Sequence, residues 1–203
     1  KALDYCGRSL KISEEIGDKR GMGNNLIDIG LVHADKGDLD KALDYYERSL
    51  KISEELGDKR GMGISLINMG RFYTQKGDYT IVLDYYTRSM KIFEELGDKR
   101  GMGYSLNRIG NVYAVKGDYD KALDYTDRSL KIVEELGDKH GMGFSLEIIG
   151  DIYLNKGNYD KVLEYYALSL QIREELGEKH KMGNSLSNIG WTYYEIGDYD
   201  KAL

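Results

Sequence analysis

Several residue groups in this chain have types that could do chemistry, and their spacing decides whether they can. The segment Gly-Asp-Lys-Arg-Gly-Met-Gly at 57–63 and again at 97–103 has the glycines and the cation of a loop that wraps phosphate in backbone N–H groups. Its context argues against that: no strand precedes it, and no Lys-Ser or Lys-Thr follows the second glycine. It stands unchanged at 17–23 as well, with close relatives at 137–143 and 177–183, which suits a joint better than a site. Of the three histidines, His140 and His180 replace Arg60 and Arg100 at that joint, with no cysteine or paired carboxylate converging on them, so no metal site is expected. His33 takes the place of a tyrosine on a packed face and is expected to be a buried, hydrogen-bonded histidine. Glu94 and Glu95 are adjacent, so on a helix they point about 100° apart and cannot flank one reacting bond. Cys6, the single cysteine, occupies a slot held elsewhere by Tyr46, Tyr86, Thr126 and Tyr166, and is read as a small core substitute. Nothing resembles a nucleophile held by a base. The chain is expected to be no enzyme and to need no cofactor and no metal.

What remains is recognition, and the elements that would carry it are repeated. The recurring segment returns every 40 residues, the mark of one supersecondary unit stacked on copies of itself. Within a period, Leu66, Met69, Gly70 and Tyr73 fall at i, i+3, i+4 and i+7, and Tyr79, Val82, Leu83, Tyr86, Met90, Ile92 and Leu96 make a second, broader stripe. Each period therefore predicts a helix pair. There is no proline to interrupt either helix, and the 18 tyrosines suit inter-helix packing with rings buried and hydroxyls at the edge. Gly77-Asp78 and Gly57-Asp58 each offer a left-handed stop followed by an N-cap, so turns should be short and neighbouring helices antiparallel. Asp44 with Arg48, Asp84 with Arg88 and Asp124 with Arg128 stand four apart, acid first, and are expected to pair on a solvated face.

The spaced residues Leu66, Met69, Gly70, Tyr73, Gly77, Tyr79, Val82, Tyr86 and Ser89 resemble the tetratricopeptide repeat, and Gly30, Gly110, Gly150 and Gly190 fill the glycine slot of the other copies. The usual unit is about 34 residues with a proline after the second helix. Here the period is 40 and Glu94-Glu95 stands where the proline would fall. The pattern is similar to the longer repeats of LGN/Pins-type and of bacterial and archaeal regulatory arrays. The resemblance implies an all-α fold, an α-solenoid of antiparallel helix pairs forming a right-handed superhelix, with first helices lining a concave groove for a partner peptide. The expected organisation is a single array: 1–20 the second helix of a truncated repeat, 21–60, 61–100, 101–140 and 141–180 full repeats, and 181–203 a first helix with the start of the next. Both ends fall in the same phase, so the chain is expected to be cut from a longer protein.

Function should lie where the copies differ. Counting from Gly23, Gly63, Gly103, Gly143 and Gly183, the second, fifth, sixth, ninth, twelfth and thirteenth positions vary. Four of these share one helical face about 200° from the invariant apolar set. The expected peptide-binding residues on that wall are Asn68, Arg71, Gln75, Tyr104, Asn107, Arg108, Asn111, Phe144, Glu147, Asp151, Asn188 and Trp191. A merely solvated face would be rich in Lys and Glu, whereas this one also carries Ile64, Ile67, Leu154 and Tyr194. The amides can both donate to and accept from a peptide backbone. Arg71 and Arg108 make the middle positive while Asp28, Asp35, Glu147, Asp151 and Glu195 make the flanks negative, so an extended or partly helical guest with a central acid is expected. Family members that clamp an acidic chaperone tail carry Lys and Asn on three consecutive units; here Asn107 and Asn111 are followed by Ile148, so that activity is not expected.

The net charge of −6 argues against a nucleic-acid partner. No run is apolar enough to predict a membrane span, and lone Cys6 favours a reducing, cytoplasmic setting. The partner is expected to be a protein or peptide. Two rival roles are a structural one, in which exposed solenoid ends associate head to tail, and that of a regulatory arm of a larger signalling protein.

Overall fold

The computed structural model describes residues 1–202. Their regular structure is helical: α1 (Ala2–Glu15), α2 (Lys19–Asp35), α3 (Leu39–Leu56), α4 (Lys59–Lys76), α5 (Tyr79–Leu96), α6 (Lys99–Val115), α7 (Tyr119–Glu135), α8 (Lys139–Asn155), α9 (Tyr159–Leu176), α10 (Lys179–Ile196) and α11 (Tyr199–Ala202). Consecutive helices pack as antiparallel pairs, the α-solenoid arrangement expected from the two apolar stripes per period. None of the described helices is long and apolar enough to cross a membrane.

The Gly-Asp junctions do the local work. Gly57 and Gly77 stop α3 and α4 in the left-handed region, at φ +63° and +76°, where a Cβ would be strained. The aspartates that follow accept backbone N–H groups three residues on, Asp58 from Gly61 at 3.1 Å and Asp78 from Ile81 at 3.3 Å. Asp18, Asp98, Asp118, Asp138 and Asn158 cap in the same way. Asp38 is the exception. Its carboxylate turns instead to His33 Nδ1 at 3.2 Å and to Lys41, contacts that hold its pKa below the usual value, and α3 starts without a side-chain cap. His33, expected to be buried, is mostly so, and its ring stacks on Tyr45 at 5.4 Å as Tyr73 does on Tyr85.

The chain forms two compact units, Lys1–Ser105 and a second beginning at Leu106. In the first, the α4–α5 pair closes because Gly70 lets the Tyr86 ring lie on the helix backbone; a Cβ there would sit 2.5 Å from the ring. Gly30 admits Tyr46 identically. Burying serines alongside needs acceptors, and these are helix carbonyls: Ser49 donates to the Gly23 carbonyl at 2.9 Å and Ser89 to that of Gly63 at 3.0 Å. Lys59 reaches Glu95 at 2.6 Å and Arg60 reaches Asp98 at 3.7 Å, so the cations of the glycine-rich segment bind their own neighbours as a joint should. The expected pairs Arg48–Asp44 and Arg88–Asp84 form at 3.7 and 3.4 Å on the exposed side.

The second unit repeats this plan, with a change at Gly110. Gly150 admits Tyr166, Ser169 donates to the Gly143 carbonyl at 3.1 Å, and Lys139 meets Glu175 at 2.7 Å. At Gly110, however, the facing residue is Thr126, whose hydroxyl turns back to the Ala122 carbonyl, and Ile148 and Ile152 pack on Ala122.

Gly70→Ala should lower stability by about 1–3 kcal/mol, because the Tyr86 ring must leave its well-packed site. Gly7→Ala, on an exposed face of α1 with open space around it, should raise it by up to about 1 kcal/mol through helix propensity. Urea midpoints compare the two, and equal destabilisation would contradict the close-approach argument.

Candidate interaction surface

The first helix of each pair presents a face that begins at the residue after its contact glycine, about 100° round the helix. Its ninth position is open to solvent at Arg71, Asn111, Asp151 and Trp191, and half-buried at Leu31. The thirteenth is open at Asp35, Gln75, Val115, Asn155 and Glu195. Within each unit these two positions make the accessible ridge. The second position is half-buried at Ile64, Tyr104 and Phe144, so these side chains flank it.

The fifth and sixth positions, expected on the same wall, behave differently. Asn107 is 2% exposed, and its amide exchanges two hydrogen bonds with the Ser145 hydroxyl, at 2.8 and 3.2 Å, across to α8. Asn68 is buried and donates to the Ile64 carbonyl within its own helix. Neither amide is presented to a guest as the spacing alone suggested. The reason is geometric: first helices lie side by side, so positions at the flank of the wall meet the neighbouring helix before they meet solvent. Arg108, half-buried, lays its guanidinium 5.0 Å over the Phe144 ring. On α10, Asn188 and Trp191 are both exposed, Trp191 at 51%.

Glu147 belongs to a buried ionic cluster that the repeat pattern did not announce. Arg173 stands in the slot of Ser53, Phe93 and Val133 and is 1% exposed. Its Nε donates to Glu147 at 3.1 Å and its Nη1 to Glu178 at 2.7 Å. Glu178 replaces the capping aspartate of the other joints, gives no cap bond, and instead also holds Lys181 and His140. These contacts lower its pKa, Lys181 chiefly and then Arg173. One carbon more than aspartate lets this carboxylate reach inward to Arg173. The signal was available in sequence: three departures of complementary charge, at 147, 173 and 178, within one period.

Tyr166 threads its hydroxyl past Gly150 to donate to Asp151 on the accessible ridge. Burial and that bond push the tyrosine pKa far up. Although the residue is open to solvent, partial desolvation of its carboxyl group beside the buried Tyr166 raises the Asp151 pKa; the Tyr166 bond opposes this and Glu147 adds to it. Tyr46 has the equivalent place in the first unit, with Arg71 and Asp35 as its charged neighbours. The surface is thus one of charged and hydrogen-bonding groups over tyrosine hydroxyls. Among the described residues no group of three His, Cys, Asp or Glu side chains is close enough to hold a metal ion.

A tetratricopeptide-repeat family model matches residues 1–55, 22–95, 61–135, 101–161 and 143–203, together the whole chain. The chain is a tetratricopeptide-repeat protein. That fold is typical of protein–protein interaction scaffolds. No curated protein matches the sequence. Among solved structures the array is similar in fold to BtubC (BKLC) from P. vanneervenii, with a TM-score of 0.85 and 18% identity over 99% of this chain and 85% of that one. A Rap protein complexed with Competence and Sporulation Factor gives a TM-score of 0.79 and 16% identity over 91% of this chain and 51% of that one. The signal-transduction ATPase with a tetratricopeptide repeat sensor from Pyrococcus horikoshii gives 0.79 and 18%, over 95% of this chain and 31% of that one. The tetratricopeptide array thus spans about half of the Rap chain and under a third of the ATPase.

Two outcomes follow for the second unit. Arg173→Ala leaves two carboxylates facing a cavity and should cost about 3 kcal/mol or more. The triple change Arg173→Phe, Glu147→Ile and Glu178→Asp restores the Phe93, Ile67 and Asp98 pattern and should retain wild-type stability; denaturant titration reads both. Asp151 has a folded pKa above its unfolded one, so its ionised form costs stability above that pKa and the cost vanishes as pH falls through it. Asp151→Asn should therefore raise Tm at pH 7, with the gain disappearing towards about pH 3; a gain that grows on acidification would contradict the burial argument.

Proposed function

We propose that the chain recruits a peptide segment of another protein, laid extended along the accessible ridge that the first helices form within a unit. The observation that carries this reading is the chemistry of the ninth position. It runs Leu31, Arg71, Asn111, Asp151, Trp191, changing character at each copy, whereas the packed slots scarcely change. A ridge kept only for solubility has no use for an exposed tryptophan or for tyrosine hydroxyls delivered through a glycine gap. Fixed positions that each read one feature of a guest do. An extended guest brings unpaired backbone groups that Asn111 and Asn188 can satisfy in either sense. The similarity in fold to a Rap protein complexed with Competence and Sporulation Factor supports a ligand-holding role for such an array. The glycine-rich joints, with their cations spent on neighbouring carboxylates, are scaffold.

Panning a random peptide display library against the chain tests this. Enriched peptides should bind the chain, and the combined change Asn111→Ala, Asp151→Ala and Trp191→Ala should weaken them at least tenfold. Lys51→Ala with Lys91→Ala, exposed on second helices, should leave binding unchanged. Absence of any enriched peptide, or binding indifferent to the ridge, would remove the reading.

A further inference from the structure

Arg71 is the one arginine of the accessible ridge, and among the described residues it makes no hydrogen bond and no ion pair. The other cations of the first unit mostly have partners: Lys19 holds Glu55, Arg20 holds Asp58, Lys76 holds Asp40. Arg71 instead borders a recess of about 20 Å³ in the first unit, with Gln75 beside it and Tyr46 behind. That volume admits roughly one water or one oxygen of a ligand. The polar groups able to donate into it are the Arg71 guanidinium, the Gln75 amide and the Tyr46 hydroxyl, for which no hydrogen bond is made among the described residues. The Asn68 amide N–H₂ is already spent on the Ile64 carbonyl. Asp35 is near enough to act on the Tyr46 hydroxyl but forms no ion pair with Arg71.

At the other end of α4 lies a second hollow, of about 200 Å³, between Ile64 and Ile67 on α4 and Tyr104 on α6, with Phe93 as part of its lining. It is mainly apolar. The cations at its margin include Arg60, which is committed to Asp98.

We propose that these two hollows together read a pair of side chains on an extended guest: a carboxylate set on Arg71, Gln75 and the Tyr46 hydroxyl, and a bulky apolar side chain seated between Ile64, Ile67 and Tyr104. This rests on the peptide-binding reading above and names its partner chemistry. A single negative charge is favoured over a phosphate dianion because Asp35 already offsets part of the Arg71 charge and the recess takes one oxygen. The spacing follows from helix geometry. The hollows are separated by about seven to eight residues of α4, roughly 11 Å along its axis, and lie on opposite flanks of it, which brings the separation to about 14 Å. An extended chain rises about 3.3 Å per residue and returns a side chain to the same face every second residue, so the acid and the apolar residue stand four apart.

Labelled peptides in a Gly-Ser-Asn background test this by fluorescence anisotropy with the whole chain. One carries Glu and Leu four apart; others have spacings of two or seven, Glu→Gln, Leu→Ala, or phosphoserine in place of Glu. The four-apart peptide should bind at least tenfold tighter than its Gln and Ala versions. Arg71→Gln should bring the Glu and Gln peptides to equal affinity while retaining the preference for Leu. Ile67→Ser should do the converse. Helical circular dichroism and Tm, unchanged in Arg71→Gln, exclude misfolding as the cause. Equal affinity for Glu and Gln peptides, a preference for phosphoserine, or a best spacing of seven, as for a helical guest, would overturn the proposal. If library peptides bind the ridge through Asn111, Asp151 and Trp191 yet ignore Arg71, this pairing fails and the broader reading stands. If no peptide binds the ridge at all, both fail.

Discussion

The contact on which the rest depends is a tyrosine ring laid on the bare backbone of a glycine. Gly30 with Tyr46, Gly70 with Tyr86 and Gly150 with Tyr166 set how closely the helices of a pair approach. Close approach buries the serines that follow, and their hydroxyls then require the carbonyls of Gly23, Gly63 and Gly143. It also brings the phenol oxygen to the next residue of the first helix, where Tyr166 donates to Asp151. The residue that closes the pair supplies the floor of the surface that would receive a guest.

Much of the fold was legible in the chain because its signals are local. Helix starts and stops follow from Gly-Asp pairs whose geometry is decided within four residues, and the two stripes per period follow from helical spacing. The site was legible only in part. The exposure of the ninth position was legible because variation without packing needs no knowledge of neighbours. Asn68 and Asn107 were misplaced because their environment is set by the adjoining first helix and by the carbonyls within reach, which one helical wheel does not contain. Arg108 faces the Phe144 ring for the same reason.

The cluster around Arg173 shows how one scaffold tolerates two solutions to the same slot. Phe93 fills it with a ring pressed on Gly63 and Gly101. Arg173 fills it with a guanidinium over Gly143, and is then obliged to draw Glu147 and Glu178 inward. An apolar residue asks only for space, whereas a buried charge demands specific partners on two other helices. Asp38 makes a related exchange, giving up its cap for His33.

The repeated joint has a consequence for how such a chain can change length. Because Lys19 with Glu55, Lys59 with Glu95 and Lys139 with Glu175 all bridge 36 positions, and Arg20 with Asp58 and Arg60 with Asp98 bridge 38, a copy inserted in phase meets attachment points it already fits. Duplication or loss of a period through unequal crossing-over would therefore leave every junction chemically intact. The stretch from His140 to Glu178 is the exception: its interlocked charges are inherited as a block, and a recombination point inside it would strand Arg173 in an apolar slot without a counter-ion.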